Sequence, residues 1–346
     1  MIKLNPIQSV LQLNDDTVAE DKFYIHTTEA ELNYTSTQGF EIVNINKSDD
    51  FSIKIRSMLQ AKKNTLVLID TSYATQFKRI KPFLLGAHFA LSNQIIFIVT
   101  SLTNITTFKL KATNEILVQQ LKNVVGILPG KSAEKKGEYV IFSGHYDHLG
   151  VGKPNSEGDS IYNGANDDAA GTTAVMMLSR YFSKIKNNER SIIFVAFTAE
   201  EIGGFGSQYF SRQLNPDSVA AMFNIEMIGT ESKWGTNSAY ITGFEKSDMG
   251  KILQGNLTGS KFHFEPDPYP EQNLFYRSDN TTLAALGVPA HTISTSKMDN
   301  EKFYHTQDDE IETLDMNNMA EIIKAIAICS QSIISRKDSA TRVKKD

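Results

Sequence analysis

The rhythm of apolar and polar positions changes part-way along the chain. Up to about Ala112, the runs TLVLID (Thr65 to Asp70) and IIFIVT (Ile95 to Thr100) predict buried strands. Between them, Phe77 to Leu91 carries apolar residues at helical spacing and predicts a helix. Residues 1–112 therefore read as a small mixed α/β domain, with no clustered charge that suggests chemistry. From Asn123 the pattern differs. NVVGILPG predicts a strand closed by a Pro-Gly turn, and KSAEKKGE a polar loop. YVIFSGHYDH predicts a strand running straight into a His/Asp cluster. Ala169 to Ile185 predicts a helix with Val175, Leu178 and Phe182 on one stripe. SIIFVAFTAEE and AAMFNIEMIG are strands that meet acids, with Glu226 expected inside the second. VPAHTIST repeats the strand without the acid, and Asn317 to Ile334 predicts a closing helix. The larger domain spans 113–335. The last residues, 336–346, mix both charge signs and are expected to form a solvated, fraying tail.

Buried strands alternating with helices imply an α/β fold with a mostly parallel central sheet covered by helices on both faces. Functional groups in such sheets gather beyond the carboxyl ends of the strands, where the acidic and His clusters of this sequence fall.

Composition narrows the chemistry. The formal net charge is −5 and no basic stripe appears, so a nucleic-acid surface is not expected. The single cysteine, Cys329, excludes an intrachain disulfide and a thiolate-rich metal site. It lies in an apolar helical pattern and reads as a buried structural thiol. Any metal must then be held by His, Asp and Glu, which favours zinc or another borderline cation. No run of about 18 apolar residues predicts a membrane span. The start MIKLNPIQSV lacks the apolar core of a secretory signal, so the expectation is a cytoplasmic protein or an exported one already processed.

Five clusters carry candidate chemistry, each with an ordinary structural reading of its own. In SGHYDHLG, His145 and Asp147 sit two apart at a strand end; a lone pair of this kind is commonly a surface ion pair, and His148 reads as structural or supporting. In NGANDDAAG, Asp167 and Asp168 open a helix, where acids also serve as caps. In TAEEIGG, Glu200 and Glu201 repel each other, which folding alone does not need. Glu226 in NIEMIG needs a partner or a metal if buried. His305 and Tyr304 lie in FYHTQDD, before the last helix. Together the clusters supply two imidazoles and several carboxylates, roughly the set that two metal ions about 3.5–4 Å apart require.

In this order, GHYDHLG, NGANDDAAG, AEEIGG, NIEMIG and FYHTQDD resemble the co-catalytic zinc aminopeptidases, relatives of glutamate carboxypeptidase II and the transferrin receptor ectodomain. The resemblance covers Asn123 to Ile334 and implies the zinc exopeptidase fold of the phosphorylase/hydrolase type. It implies two zinc ions bridged by Asp167, one also held by His145 and Glu226, the other by Glu201 and His305. Glu200 is then the general base toward a hydroxide shared by the metals, Tyr304 helps polarise the scissile carbonyl, and Asp147 and Asp279 support from behind. The implied substrates are peptides with a free N-terminus. Asp167 is chosen over Asp168 from the frame set by Gly164 and Gly171. The family's usual Asp is Glu226 here, which keeps open a carboxypeptidase or dipeptidase. Its usual Ser-Asp-His stretch is Ser278, Asp279, Asn280, and Asn280 is not counted as a ligand. A non-catalytic module retaining the fold and a one-zinc cyclase also stay open. The segment before Ala112 corresponds in position to a protease-associated-type lid.

Overall fold

The computed structural model describes residues 1–134 and 137–345, so the loop expected over KSAEKKGE lies partly outside the described residues, at Lys135 and Lys136. The chain forms two compact units, Met1–Gln120 and Leu121–Asp346.

The first unit is built on two four-stranded sheets. In one, the long strand Ile2–Leu13 pairs antiparallel with Phe108–Val118 along almost its whole length, which carries this unit past Ala112, where the sequence placed its end. In the other, Thr65–Ile69 and Ile95–Val99 are fully buried central strands, as their unbroken apolar runs require. Leu11, Leu32 and Leu110 of the first sheet share one core with Leu66, Leu68 and Ile96 of the second. The helices Phe51–Met58 and Ala74–Leu84 cover the second sheet's other face through Phe51, Ile55 and Phe77. The expected helix over Phe77 to Leu91 thus begins earlier and stops sooner. Beyond Leu84 the chain leaves the helix at Gly86, and His88 exchanges backbone hydrogen bonds with Ile2.

The second unit carries a seven-stranded sheet. Its four central strands, in the order Ala290–Ser294, Val219–Ile225, Tyr139–His145 and Ser191–Phe197, run parallel. Val124–Leu128 closes one edge antiparallel, and Ser238–Ile241 with His263–Pro266 forms the other. Helices lie on both faces. Ala170–Ile185, Met249–Asn256 and Met316–Cys329 pack Val175, Leu178, Phe182, Leu253 and Ile326 onto Phe142, Phe194 and Phe223. On the opposite face, Phe205–Arg212 and Thr281–Ala284 pack Phe210 and Leu283 onto Ile141, Ile193 and Met222. Phe142 stacks on Phe182, Phe194 and Phe223 at centroid distances of 5.7, 5.8 and 5.0 Å, filling the centre of the first face. Cys329 is fully buried. Among the described residues, no helix is long and apolar enough to cross a membrane.

Two expectations are corrected here. The final helix breaks at Ser330 before a short turn, Gln331–Ile334. The last residues are not a free tail: Val343 is buried in the second core, and Arg342 donates to the carbonyls of Val219 (2.8 Å) and Pro216 (3.1 Å). One apolar side chain, one five-donor guanidinium and a pair of hydrogen bonds between Thr341 and Asp248 (3.0 and 2.7 Å) seat a segment that composition alone marks as polar.

Candidate metal centre

The parallel strands deliver the candidate residues to one edge of the sheet. His145 is the last residue of its strand, and Glu200 and Glu201 follow shortly after Phe197. Glu226 was expected inside a strand; it lies immediately beyond Ile225, where the ladder ends and a carboxylate can turn toward the crevice. Asp167 comes from the turn ahead of the helix Ala170–Ile185, and His305 from a turn between the last strand and the last long helix.

Asp167 stands between the two histidines. Its Oδ1 lies 3.2 Å from His145 Nε2, and its Oδ2 lies 3.3 Å from His305 Nε2. Glu201 Oε2 is 3.2 Å from the same His305 nitrogen. Donors sharing one zinc tetrahedrally at about 2.0–2.1 Å stand roughly 3.3–3.4 Å apart, so these separations fit common cations. His145 Nε2 is buried, and its Asp167 neighbour at 3.2 Å is poorly aligned for a hydrogen bond, which suits two donors turned toward a shared cation. Two groupings emerge: His145, Asp167 and Glu226 can hold one ion, and His148, Asp167 and Glu201 surround a second place. His305 fits that second place better than His148. His148 Nδ1 lies 4.0 Å from Asp167 but only 2.7 Å from Glu201 Oε1, which is hydrogen-bond geometry rather than a shared coordination edge.

The electrostatics agree. Burial opposes a charge on His145, yet Asp167, Asp168 and Glu226 outweigh it and raise its pKa. Burial would raise the Asp167 carboxyl, but the His145 and His305 rings hold it below its usual range. Burial first, then carboxylate neighbours, pushes Glu200 and Glu226 upward. A buried cluster of acids that disfavour their own charges is relieved by cations.

The supporting residues are placed as firmly. His145 Nδ1 meets the backbone carbonyl of Asp147 at 2.9 Å, nearer than the Asp147 carboxylate at 3.9 Å. The expected carboxylate behind the histidine is therefore a carbonyl. The Asp147 side chain instead accepts the N–H groups of Glu200 (3.1 Å) and Glu201 (3.3 Å), fixing the acid pair. Asp279 is buried close enough to feel His145 and Asp147, and burial pushes it up to about 6. Tyr304 stacks on His305 with centroids 3.9 Å apart, and burial followed by the Asp167 charge pushes its hydroxyl up to about 12, so it keeps its proton.

Residues 123–329 match peptidase family M28. The chain belongs to that family. This M28 chain is 23% identical over 246 residues to the aminopeptidase YwaD of Bacillus subtilis, covering 69% of the chain and 50% of the relative. A probable zinc metalloprotease of Pyrenophora teres f. teres is 32% identical over 123 residues, covering 35% of the chain and 26% of the relative. The chain thus spans half or less of the length of these curated relatives. Among solved structures, a zinc aminopeptidase from Bacillus subtilis superposes with a TM-score of 0.53 at 16% identity, covering 100% of this chain and 87% of that one, a likeness of fold.

The cluster also involves residues that pattern reading passed over. Asp168, chosen against as a ligand, is buried and accepts the N–H groups of His145 (3.2 Å), Gly171 (3.0 Å) and Met227 (3.0 Å). It ties two strand ends to the helix start. Asp309, 1% exposed, accepts Asn166 N–H (2.8 Å) and Asp167 N–H (3.0 Å) and holds the turn that carries Asp167. The frame glycines are required by contact: a Cβ on Gly171 would strike the Ile225 carbonyl and the Asp168 carboxylate. One on Gly164 would strike the His148 ring. Asn280 is fully buried and donates to the carbonyls of Phe275 (3.0 Å) and Ala290 (3.2 Å), a structural role. The signal for Asp309 was present as the second acid of TQDD, but nothing in a sequence says which N–H groups an acid will meet.

Proposed function

We propose that this chain is a zinc-dependent aminopeptidase that removes the N-terminal residue of peptides. His145, Asp167 and Glu226 would hold one zinc ion, and Asp167, Glu201 and His305 a second. The observation that carries this reading is the bridging geometry of Asp167, whose two oxygens face two different histidines at 3.2 and 3.3 Å. The names of the relatives point the same way. Bound zinc supplies Lewis acidity, bringing the pKa of water toward ~7 and polarising a carbonyl.

The chain's own residues do the rest. Asp147 holds the backbone of Glu200 so that its carboxylate faces the site, where it accepts a proton from the attacking water and returns it to the leaving amine. Tyr304, protonated and stacked against His305, donates to the developing oxyanion. The substrate's free α-amino group would lie near one metal and the surrounding acids, which favours unblocked N-termini. Hydrolysis of aminoacyl-p-nitroanilides but not of their N-acetylated forms is the expected result. Cleavage confined to N-blocked peptides with a free C-terminus would replace this reading with a carboxypeptidase, and cleavage confined to unblocked dipeptides with a dipeptidase.

A further inference from the structure

The two edges of the seven-stranded sheet differ in kind. One edge, His263–Pro266, carries a histidine, a glutamate and a proline. Charge, and a residue with no N–H to offer, keep an open strand from pairing with another. The opposite edge, Val124–Leu128, carries neither device. It pairs antiparallel with Ser191–Phe197 on its inner side, and among the described residues no strand lies on its outer side. Its side chains stand clear: Val124 is 65% exposed, Val125 46% and Ile127 60%. Val124 and Val125 point to opposite faces, so neither helix layer shields this strand.

Gly126, at the centre of the strand, has no local reason to be glycine. Its φ is not positive, and a Cβ built on it would meet nothing within 4 Å. Glycine inside a strand costs about 0.5–1 kcal/mol relative to alanine, and it often marks the close approach of another backbone. The strand is also its own complement. Turned about a two-fold axis through Gly126 and paired antiparallel, Val124 opposes Leu128 of the second copy and Val125 opposes its Ile127. No charge within the strand meets a like charge. Pro129, next in the chain, has no N–H and ends the ladder there. The blunted opposite edge stops a second round of pairing, so the assembly closes at two copies.

We infer that Val124–Leu128 is the contact surface of a symmetric dimer, in which two copies of this chain join their large sheets edge to edge. Five residues at ~3.4 Å each give a contact only ~17 Å long. That is a small interface, so the dimer forms at micromolar rather than nanomolar concentration. Sedimentation velocity of the full zinc-loaded chain from roughly 1 to 300 μM should show the mass rising from one chain toward two. Val125→Lys combined with Ile127→Lys sets like charges opposite each other and should raise the dissociation constant at least about tenfold. The corresponding pair of glutamates should do the same, and an equimolar mixture of the two variants should associate again. If either variant fails to fold, Gly126→Cys answers alone. Cys329 is fully buried, and opposed Cα atoms in an antiparallel pair stand about 4.5–5.5 Å apart, within disulfide reach. Mild oxidation should then cross-link Gly126→Cys and leave the native chain single. A native chain that stays monomeric throughout, a dimer that the lysines leave intact, a mixture that stays apart, or an absent cross-link each overturns the inference.

Discussion

Asp309→Asn probes how the site is aimed without touching a proposed ligand. The Asp309 carboxylate accepts two buried N–H groups, from Asn166 at 2.8 Å and Asp167 at 3.0 Å. Asparagine keeps one acceptor and turns an NH₂ group toward the other N–H. The loss is one charge-assisted bond, about 1.5–3 kcal/mol, plus an orphaned donor at about 1–3 kcal/mol. The same substitution removes one of several crowded negative charges. Two carboxylates ~5 Å apart at an effective dielectric of ~20 repel by about 3 kcal/mol, so in metal-free protein the two effects nearly cancel. In metal binding they add, because the bridging Asp167 is mis-aimed and the pull on a cation is weaker. Zinc affinity should therefore fall at least 10–100-fold, the range for losing a supporting partner. Urea unfolding in chelator should change by no more than about 3 kcal/mol by the same bookkeeping. Competition against a chromogenic chelator reads the affinity. Native affinity in the folded variant would refute the claim that Asp309 sets the bridge.

Three further outcomes follow from other parts of the molecule. Glu200→Gln should retain its zinc content while kcat falls by roughly 10²–10⁴-fold, the usual worth of a positioned base; native turnover removes Glu200 from that role. His148→Ala frees Glu201 Oε1 from its 2.7 Å partner, so the more weakly held zinc should bind about 10–100-fold less tightly, read by metal retained on dialysis. In the first unit, burial followed by the neighbouring His88 lowers His26 to about 4, beside the Tyr24 hydroxyl at 3.4 Å. The unfolded state then binds the extra proton between about pH 6.5 and 4, so stability is full above that window. It falls by about 3 kcal/mol on acidification through it, and His26→Phe should flatten this loss in urea titrations of the two proteins across pH.

What the sequence disclosed and what it hid have physical causes. Strands such as Thr65–Ile69 and Tyr139–His145 are buried on both faces, so their apolar runs are unbroken and legible. The candidate residues were picked out by the order of their motifs and by resemblance, and the His145, Asp167 and His305 nitrogen and oxygen atoms converge, at 3.2 and 3.3 Å. What stayed hidden depends on contacts across long stretches of chain. Asp168 reads as a helix cap until it is seen holding His145 and Met227 as well. Asp147 reads as the carboxylate behind His145, yet its carbonyl takes that place because the strand ends there and the side chain turns to the Glu200 and Glu201 N–H groups. The end of the chain reads as solvated because one valine in a charged segment gives no periodicity, although Val343 is buried.

The central claim is that Asp167 joins two cation sites. Zinc content per chain, measured on the purified protein after dialysis against metal-free buffer, tests it most directly. Two zinc ions per native chain are expected, with substantial loss of both in Asp167→Ala that remains folded by circular dichroism. A native stoichiometry of one or none, or two ions retained without Asp167, would contradict the account.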